Sequence, residues 1–286
     1  MEHATRWHWP EYGIEAFSLG LFMVSACLFT ALMEHPASPL HQVITGELAR
    51  RGIIGLAMGG TAIGLIYSPW GKRSGAHMNP SVTLTFWRLG KITPDDALLY
   101  IAFQFLGGWL GVVFSALVLR SAIADPAVAY AVTVPGPMGA AVAWWAELGI
   151  SFLLMMVILV ASNNARYAAW TGLFAGLLIA LYVLFEAPLS GMSMNPARTV
   201  SSALPAQVWD HLWIYFTAPP LGMLLAGELY RLWDRRVVCA KLVHDSRFRC
   251  IFCEHPQEFL SHLRRERRPD ATTALASARV SMAEGR

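Results

Sequence analysis

The octapeptide S-G-A-H-M-N-P-S at residues 74–81 recurs as S-G-M-S-M-N-P-A at residues 190–197. Each copy follows a long apolar run and a nearby proline, Pro69 or Pro188. Internal repetition in matched surroundings is typical of an architecture built from duplicated units. The sequence therefore predicts two related halves, each organised around an Asn-Pro segment.

Each Asn-Pro pair has the features of a helix start. Asparagine is a preferred N-cap, and proline at the first helical position loses no hydrogen bond because that N–H has no helical partner. Residues 80–88 follow the first pair, and residues 196–204 follow the second, ending before Pro205. At about 1.5 Å per residue, each stretch covers about 13 Å, roughly half of a bilayer's hydrocarbon core. We predict two half-helices, neither of which crosses a membrane alone.

The composition places the chain in a lipid bilayer. Of 286 residues, 55% are apolar and only 14% are charged, whereas about a quarter of a soluble domain is charged. Runs long enough to cross about 30 Å of hydrocarbon lie at 13–33, 47–67, 97–119, 138–161, 168–186 and 211–230. The formal net charge of +3 arises from the C-terminal tail, and we expect no nucleic acid partner.

Six spans place both termini on one side of the membrane. Basic residues favour the cytoplasmic side. Those near the termini side are Arg6, Lys72, Arg73, Arg88, Lys91, Arg166 and the tail, against Arg50, Arg51 and Arg120 opposite. We therefore predict a multi-pass protein of the cell (inner) membrane with both termini in the cytoplasm.

The chain divides at a proline-containing loop, residues 121–137. The predicted parts are a cytoplasmic N-terminus 1–12, a channel domain 13–233 with halves at about 13–120 and 138–233, and a basic tail 234–286. Each half holds three spans, an odd number, so the second copy is inserted upside down relative to the first.

This inversion brings the two helix starts together near the midplane. Irregular backbone at that depth is tolerated only where it lines a water-filled path, so the pattern predicts a pore. Each start carries about half a positive charge, which opposes cations and protons but not neutral solutes. Arg198, in the first turn of the second half-helix, is expected to face the lumen, because a lipid-facing arginine is costly.

These residues resemble the aquaporin (major intrinsic protein) family over about residues 11–233. The resemblance includes N-P-A-R at 195–198, Gln104 and Pro219, and Ser81 departs from the usual alanine. It implies an all-α membrane protein with six transmembrane helices, two re-entrant half-helices and an inverted repeat, without catalytic residues or cofactors, assembled as a homotetramer. The implied pore motifs are Asn79, Pro80, Ser81, Asn195, Pro196 and Ala197. Glu15 and Glu147 are implied to brace the pore loops.

The resemblance also implies a selectivity filter. Its positions here are Met58, Val183, Met192 and Arg198. Water-selective relatives place an aromatic residue and a histidine at the first two positions, so this filter is similar to solute-permissive members that pass glycerol, urea, ammonia or metalloid acids such as arsenous acid. Thr199, where glycerol facilitators have aspartate, argues against glycerol specialisation. The expected partners are therefore water, small neutral solutes and lipid.

Two other classes of membrane protein share some of these sequence features. A secondary transporter coupled to an ion gradient also uses inverted repeats and broken helices, but needs an intramembrane charge, for which Glu15 and Glu147 are the candidates. An intramembrane hydrolase would use Ser190 or Ser193 as nucleophile, yet no histidine follows inside a later span.

The tail contains a group of metal-ligating residue types. They are Cys239, His244, Cys250, Cys253 and His255. Thiolates and imidazoles suit zinc, and trivalent arsenic also binds thiolates. Alternatively, a basic tail simply contacts anionic lipid. From about Arg264 onward the composition is typical of disorder.

Overall fold

The computed structural model of the protein is all-helical in the part it describes, residues 7–233, 236–245, 247 and 250–253. In chain order the helices are α1 (Trp9–Glu34), α2 (Pro39–Val43), α3 (Glu47–Tyr67), α4 (Pro69–Ser74), α5 (Pro80–Arg88), α6 (Pro94–Leu119), α7 (Ala140–Ser162), α8 (Thr171–Phe185), α9 (Ala187–Ser190), α10 (Pro196–Ala206) and α11 (Leu212–Leu232). Short 3₁₀ segments occupy Arg120–Ala124, Ala129–Ala131 and Ala168–Trp170.

Helices α1, α3, α6, α7, α8 and α11 correspond to the six predicted spans. Within the described residues, four segments are long and apolar enough to cross a membrane by length and composition: α1, α6 with its 3₁₀ extension, α7, and α8 with the 3₁₀ segment before it. The remaining two, α3 and α11, each contain 21 residues. Charged residues near their ends, such as Arg51 and Glu228, lower their mean hydropathy. The architecture is that of a multi-pass membrane protein.

The first helix begins earlier than predicted. The sequence places an N-terminal segment at 1–12, but α1 starts at Trp9. Pro10 lies in the first turn, where a missing N–H costs nothing. The Tyr12 hydroxyl is buried and donates to Asp96 of α6 at 2.5 Å, so tertiary packing extends the helix.

The second half-helix runs past its predicted end. Pro205 lies inside α10, which continues to Ala206 and ends at Gln207 in a left-handed conformation. Proline removes one backbone donor, so the Ser201 carbonyl four residues earlier loses its helical partner, and this loss is confined to the last turn of the helix. The first half-helix, α5, ends at Arg88 as predicted.

The helices pack as two halves that exchange their half-helices. Within the halves α1 packs on α6 and α7 on α11, while α3 and α8 join the halves. The α3–α8 crossing is close, because a Cβ at Gly55 would lie 2.6 Å from the Ala180 carbonyl oxygen. Small residues allow such backbone approach in membrane proteins. Helix α5 packs against α11, and α10 against α6, which places both half-helix starts at the centre.

Candidate functional site

Two loops lead into the half-helices with matching backbone conformations. In each loop the residues one and three positions before the asparagine have positive φ. They are Ala76 and Met78 in the first loop, and Met192 and Met194 in the second. A left-handed conformation costs a non-glycine residue about 1–2 kcal/mol. Both loops therefore depend on outside contacts that hold them in place.

Glu15 of α1 provides those contacts for the first loop. Its carboxylate accepts hydrogen bonds from the backbone N–H groups of His77 and Met78, at 3.1 and 2.6 Å. It also accepts from Ser74 Oγ at 2.7 Å and from Gln104 Nε2 at 2.9 Å. Because Glu15 is fully buried, these four bonds replace its hydration.

Glu147 of α7 has the same position relative to the second loop. It accepts from the N–H groups of Ser193 and Met194 at 2.6 and 2.7 Å, and from Ser190 Oγ at 2.7 Å. Ser190 Oγ also contacts the carboxylate of Glu186. The predicted bracing residues thus both lie against the loops, each through the two backbone N–H groups that precede an asparagine.

The two asparagines cap their helices and bind each other's loops. Asn79 Oδ1 accepts from Ser81 N at 2.8 Å, and Asn195 Oδ1 accepts from the N–H groups of Ala197 and Arg198 at 3.0 and 3.1 Å. Asn79 Nδ2 donates to the Met194 carbonyl and Asn195 Nδ2 to the Met78 carbonyl, both at 2.7 Å. The two half-helix starts, at Pro80 and Pro196, therefore meet. Each amide retains one further N–H.

A cavity of about 410 Å³ passes both asparagines. The four predicted filter residues, Met58, Val183, Met192 and Arg198, all line it. The first three are apolar and nearly buried, so the guanidinium is the charged donor among them. Ser81 and Ala197 do not line the cavity; both are buried behind it.

The outer part of the cavity contains charged residues that were not predicted to line the pore. Arg51 and Glu34 line it beyond the filter, on the side opposite the tail. The signal was present, because residues 51, 54, 58, 62 and 66 of α3 have the spacing of one helical face and all line the cavity. Arg51, seven positions before Met58, therefore lies on the pore.

The tail occupies the other end of the cavity. Leu242 lines it together with Ala76 and His77. His77 Nε2 donates to the Ala240 carbonyl at 2.8 Å, and its ring stacks between Phe86 and Phe252, with centroids 5.1 and 5.6 Å away. No feature of the sequence indicated that the tail enters the pore.

The predicted ligand group of the tail is largely assembled. The ligand atoms of Cys239, His244, Cys250 and Cys253 lie within 4.8 Å of one another, whereas His255 lies outside the described residues. Hydrogen bonds with the neighbouring Cys239 and Cys253 thiols lower the pKa of Cys250 well below its usual value, and the bond to Cys250 raises the pKa of Cys239. The cluster therefore favours a thiolate at Cys250.

Known proteins resemble this chain in sequence. Putative aquaporin NIP4-1 of Arabidopsis thaliana is 40% identical over 169 residues, which are 59% of this chain and 58% of that protein's length. Aquaporin NIP2-3 of Zea mays is 32% identical over 214 residues, 74% of this chain and 69% of that protein. Glycerol uptake facilitator protein-like 6 of Lactiplantibacillus plantarum is 36% identical over 184 residues, 63% and 83% respectively.

A structural match and a match to a family model indicate the same family as these relatives. The aquaglyceroporin of Plasmodium falciparum has a solved structure that matches with a TM-score of 0.66 over 78% of this chain and 95% of that chain, at 19% identity, which concerns the fold alone. The model of the family Major intrinsic protein matches residues 6–230. The aquaporin fold implied by the family resemblance is thus confirmed. The chain belongs to the major intrinsic protein family, whose aquaporins and aquaglyceroporins are channels rather than enzymes.

Proposed function

We propose that the chain is a passive channel that carries water and small uncharged solutes across a membrane. The observation that carries this proposal is the cavity along which both Asn-Pro helix starts and Arg198 lie. Neither catalysis nor a cofactor is needed for such transport. The aquaporin and glycerol-facilitator names of the relatives support the same function.

The charges along the cavity explain the proposed exclusion of ions. Two helix N-termini meet there, and each contributes about half a positive charge. Arg198 adds a full positive charge in the first turn of α10. A cation or hydronium ion would face this field after losing most of its hydration, whereas a neutral solute pays no such penalty. The free N–H groups of Asn79 and Asn195 are available to donate to a passing oxygen atom.

The bracing glutamates argue against a coupled transporter. Ion coupling needs an intramembrane charge that is free to bind and release its ion. Glu15 and Glu147 instead hold the loops through four and three hydrogen bonds. Protonation of either carboxylate would weaken the hydrogen bonds that hold the pore loops in place.

The lining of the filter favours solutes larger than water. Met58, Val183 and Met192 present apolar walls, and Arg198 provides one site for hydrogen bonding. Such a ring suits a compact neutral molecule with a hydroxyl or amide group, such as glycerol, urea or an undissociated metalloid acid. Ammonia, a neutral molecule about the size of water, is small enough to pass the same ring.

Stopped-flow light scattering of proteoliposomes tests the channel function. Vesicles with the full chain are compared with empty vesicles for flux of water, glycerol, urea and arsenous acid. We expect flux that does not saturate, has a low activation enthalpy and is independent of proton and sodium gradients. Saturation or gradient dependence would contradict a passive channel.

The filter assignment has its own test. The double variant Met58→Phe with Val183→His places a ring and a polar donor in the constriction. We expect solute flux to fall at least about tenfold more than water flux, since a bulkier filter excludes the larger molecule first. Equal loss of both fluxes would refute the assignment. The exposed position Val43, changed to Phe, serves as control.

We further propose that the protein is a homotetramer in the cell (inner) membrane with both termini in the cytoplasm. The family resemblance supports the tetramer, with one pore in each protomer. Basic residues on the tail side support the orientation. Native mass spectrometry tests the first, and labelling of single cysteines in sealed vesicles tests the second.

A further inference from the structure

The cysteine and histidine side chains of the tail have the dimensions of a metal site. Cys239 Sγ lies 3.4 Å from Cys250 Sγ, and Cys253 Sγ lies 3.4 Å from His244 Nε2. All four ligand atoms lie within 4.8 Å of one another. With Zn–S bonds of about 2.3 Å, a tetrahedral zinc ion requires neighbouring ligand atoms roughly 3.8 Å apart. Only small shifts of side chains would complete that geometry.

The chemistry of the cluster also suits zinc. A sulfur separation of 3.4 Å is far longer than a disulfide bond of about 2.05 Å, so the two buried thiols are separate. Three thiolates and a neutral imidazole around Zn²⁺ leave one negative charge. Lys241 is buried, attracts the Cys250 thiolate and donates from Nζ to the Lys72 carbonyl at 2.9 Å. A buried cation in the same segment thus offsets part of that charge.

The segment around the cluster is bound to the first pore loop. Leu242 N donates to the Gly75 carbonyl at 3.2 Å, and the Ala240 carbonyl accepts from His77. The Phe252 ring stacks on the His77 ring at 12°. These contacts come from residues on both arms of the cluster, before His244 and after Cys250. Holding the two arms together therefore holds the segment on the pore.

This segment fills the end of the cavity. Leu242 lines the cavity and is only 4% exposed, while Ala76 beside it is 1% exposed. Side chains at an open, water-filled mouth would be accessible. Leu242 of the segment 236–245, which we call the plug, therefore lies at the tail-side end of the cavity.

We propose that Cys239, His244, Cys250 and Cys253 bind one Zn²⁺ ion, and that the bound ion holds the plug in the mouth of the pore and restricts flux. The gating part rests on the proposed channel function, whereas zinc binding does not. Without the ion, the two arms depend on the packing of residues such as Val237, Leu242 and Phe252 against the core and on the hydrogen bonds to the first pore loop. Loss of zinc is thus expected to release the plug and open the pore.

Elemental analysis of untagged, full-length protein tests the metal site. After exposure to zinc chloride and removal of excess metal, we expect about one zinc per chain, because four ligands complete one tetrahedral site. Cys250→Ser and His244→Ala should lose most of it, and Cys27→Ala, a buried cysteine of α1 outside the cluster, should retain it. Absence of zinc from the wild type, or full retention in Cys250→Ser, would overturn the site.

A metalloid is the alternative occupant to be distinguished. Trivalent arsenic binds three thiolates and needs no imidazole. Arsenite bound by the wild type and equally by His244→Ala, with no zinc in either, would replace the zinc assignment. Zinc binding that depends on His244 supports it.

Flux measurements test the plug separately. We expect Leu242→Ala to keep its zinc but to raise water flux at least about threefold, because more channels are open. Cys250→Ser should raise it similarly without zinc, and Cys27→Ala should match the wild type. Unchanged flux in both Leu242→Ala and Cys250→Ser would refute gating while leaving zinc binding intact. If no variant conducts, the channel function fails instead, and the metal content still decides the site.

Discussion

The two Asn-Pro loops share their framework but not their chemistry. In both, a glutamate from the first helix of the half accepts from two loop N–H groups, and a tyrosine hydroxyl donates to the carbonyl of the serine, Ser74 or Ser190. In both, a threonine side chain contacts the residue two positions before the asparagine. Duplication thus preserved the contacts that fix the loops.

The differences lie on the pore and at its mouths. Arg198 occupies the first turn of α10, where Val82 occupies the matching position in α5. The second loop is covered by the connection between the halves, through Thr133 to Thr199 at 2.9 Å, whereas the first is covered by the tail. The framework of the two loops is therefore symmetric. The pore arginine belongs to the second half, whereas the tail covers the loop of the first half.

The largest expected effect comes from removing a bracing carboxylate. Glu15→Ala leaves four donors without this acceptor, whereas Glu147→Ala leaves two, because Ser190 Oγ still contacts Glu186; each buried unpaired donor costs about 1–3 kcal/mol. We expect both variants to unfold at markedly lower temperature in detergent, with Glu15→Ala the less stable. Glu47→Ala, whose side chain is 73% exposed, should match the wild type. Wild-type stability in either variant would contradict the bracing role.

Replacing Arg198 by valine makes the pore-lining surface of the second half resemble that of the first. Arg198→Val removes the charge at the filter and widens it. We expect proton leakage and at least about a tenfold rise in glycerol flux relative to water, a barrier change of about 1.4 kcal/mol. Arg198→Lys keeps the charge and should remain tight to protons in vesicles with a pH-sensitive dye. A proton-tight Arg198→Val would locate the barrier at the helix starts alone.

A smaller difference is expected between the two caps. Asn195 accepts from two backbone N–H groups and Asn79 from one, and loss of a cap costs about 1 kcal/mol. Asn195→Ala should therefore reduce thermal stability more than Asn79→Ala. The matched aspartate variants keep the cap oxygen and should recover part of the loss. The reverse order would show that the cross-loop bonds dominate.

The smallest effect is expected at Ser81, which replaces the alanine that is usual in the first motif. Ser81 Oγ is buried and lacks a hydrogen-bond partner among the described residues, so Ser81→Ala should change stability by less than about 1 kcal/mol and leave flux unchanged. The reverse change, Ala197→Ser, adds a buried hydroxyl and should be destabilising. A large loss in Ser81→Ala would reveal a partner for the hydroxyl.

Much of the fold could be predicted from the sequence because the length of an apolar span and the capping of a helix depend on neighbouring residues. Helix α3 lies at 47–67 as predicted and α5 at 80–88, since apolar length and Asn-Pro capping are local. The ends at Trp9 and Ala206 differ. Tyr12 extends α1 through a bond to Asp96, and Pro205 is tolerated in a last turn. Such ends depend on distant packing or on weak local preferences.

For this protein, the sequence by itself determined that two inverted halves carry two half-helix starts, because repetition, span parity and helix length are properties of the linear chain. Only the tertiary structure decided that Arg51 and Glu34 lie on the pore and that Leu242 enters its other end. Contacts such as that between Leu242 and Gly75 join residues far apart in sequence. No periodicity encodes them, and they form only when the whole chain has packed.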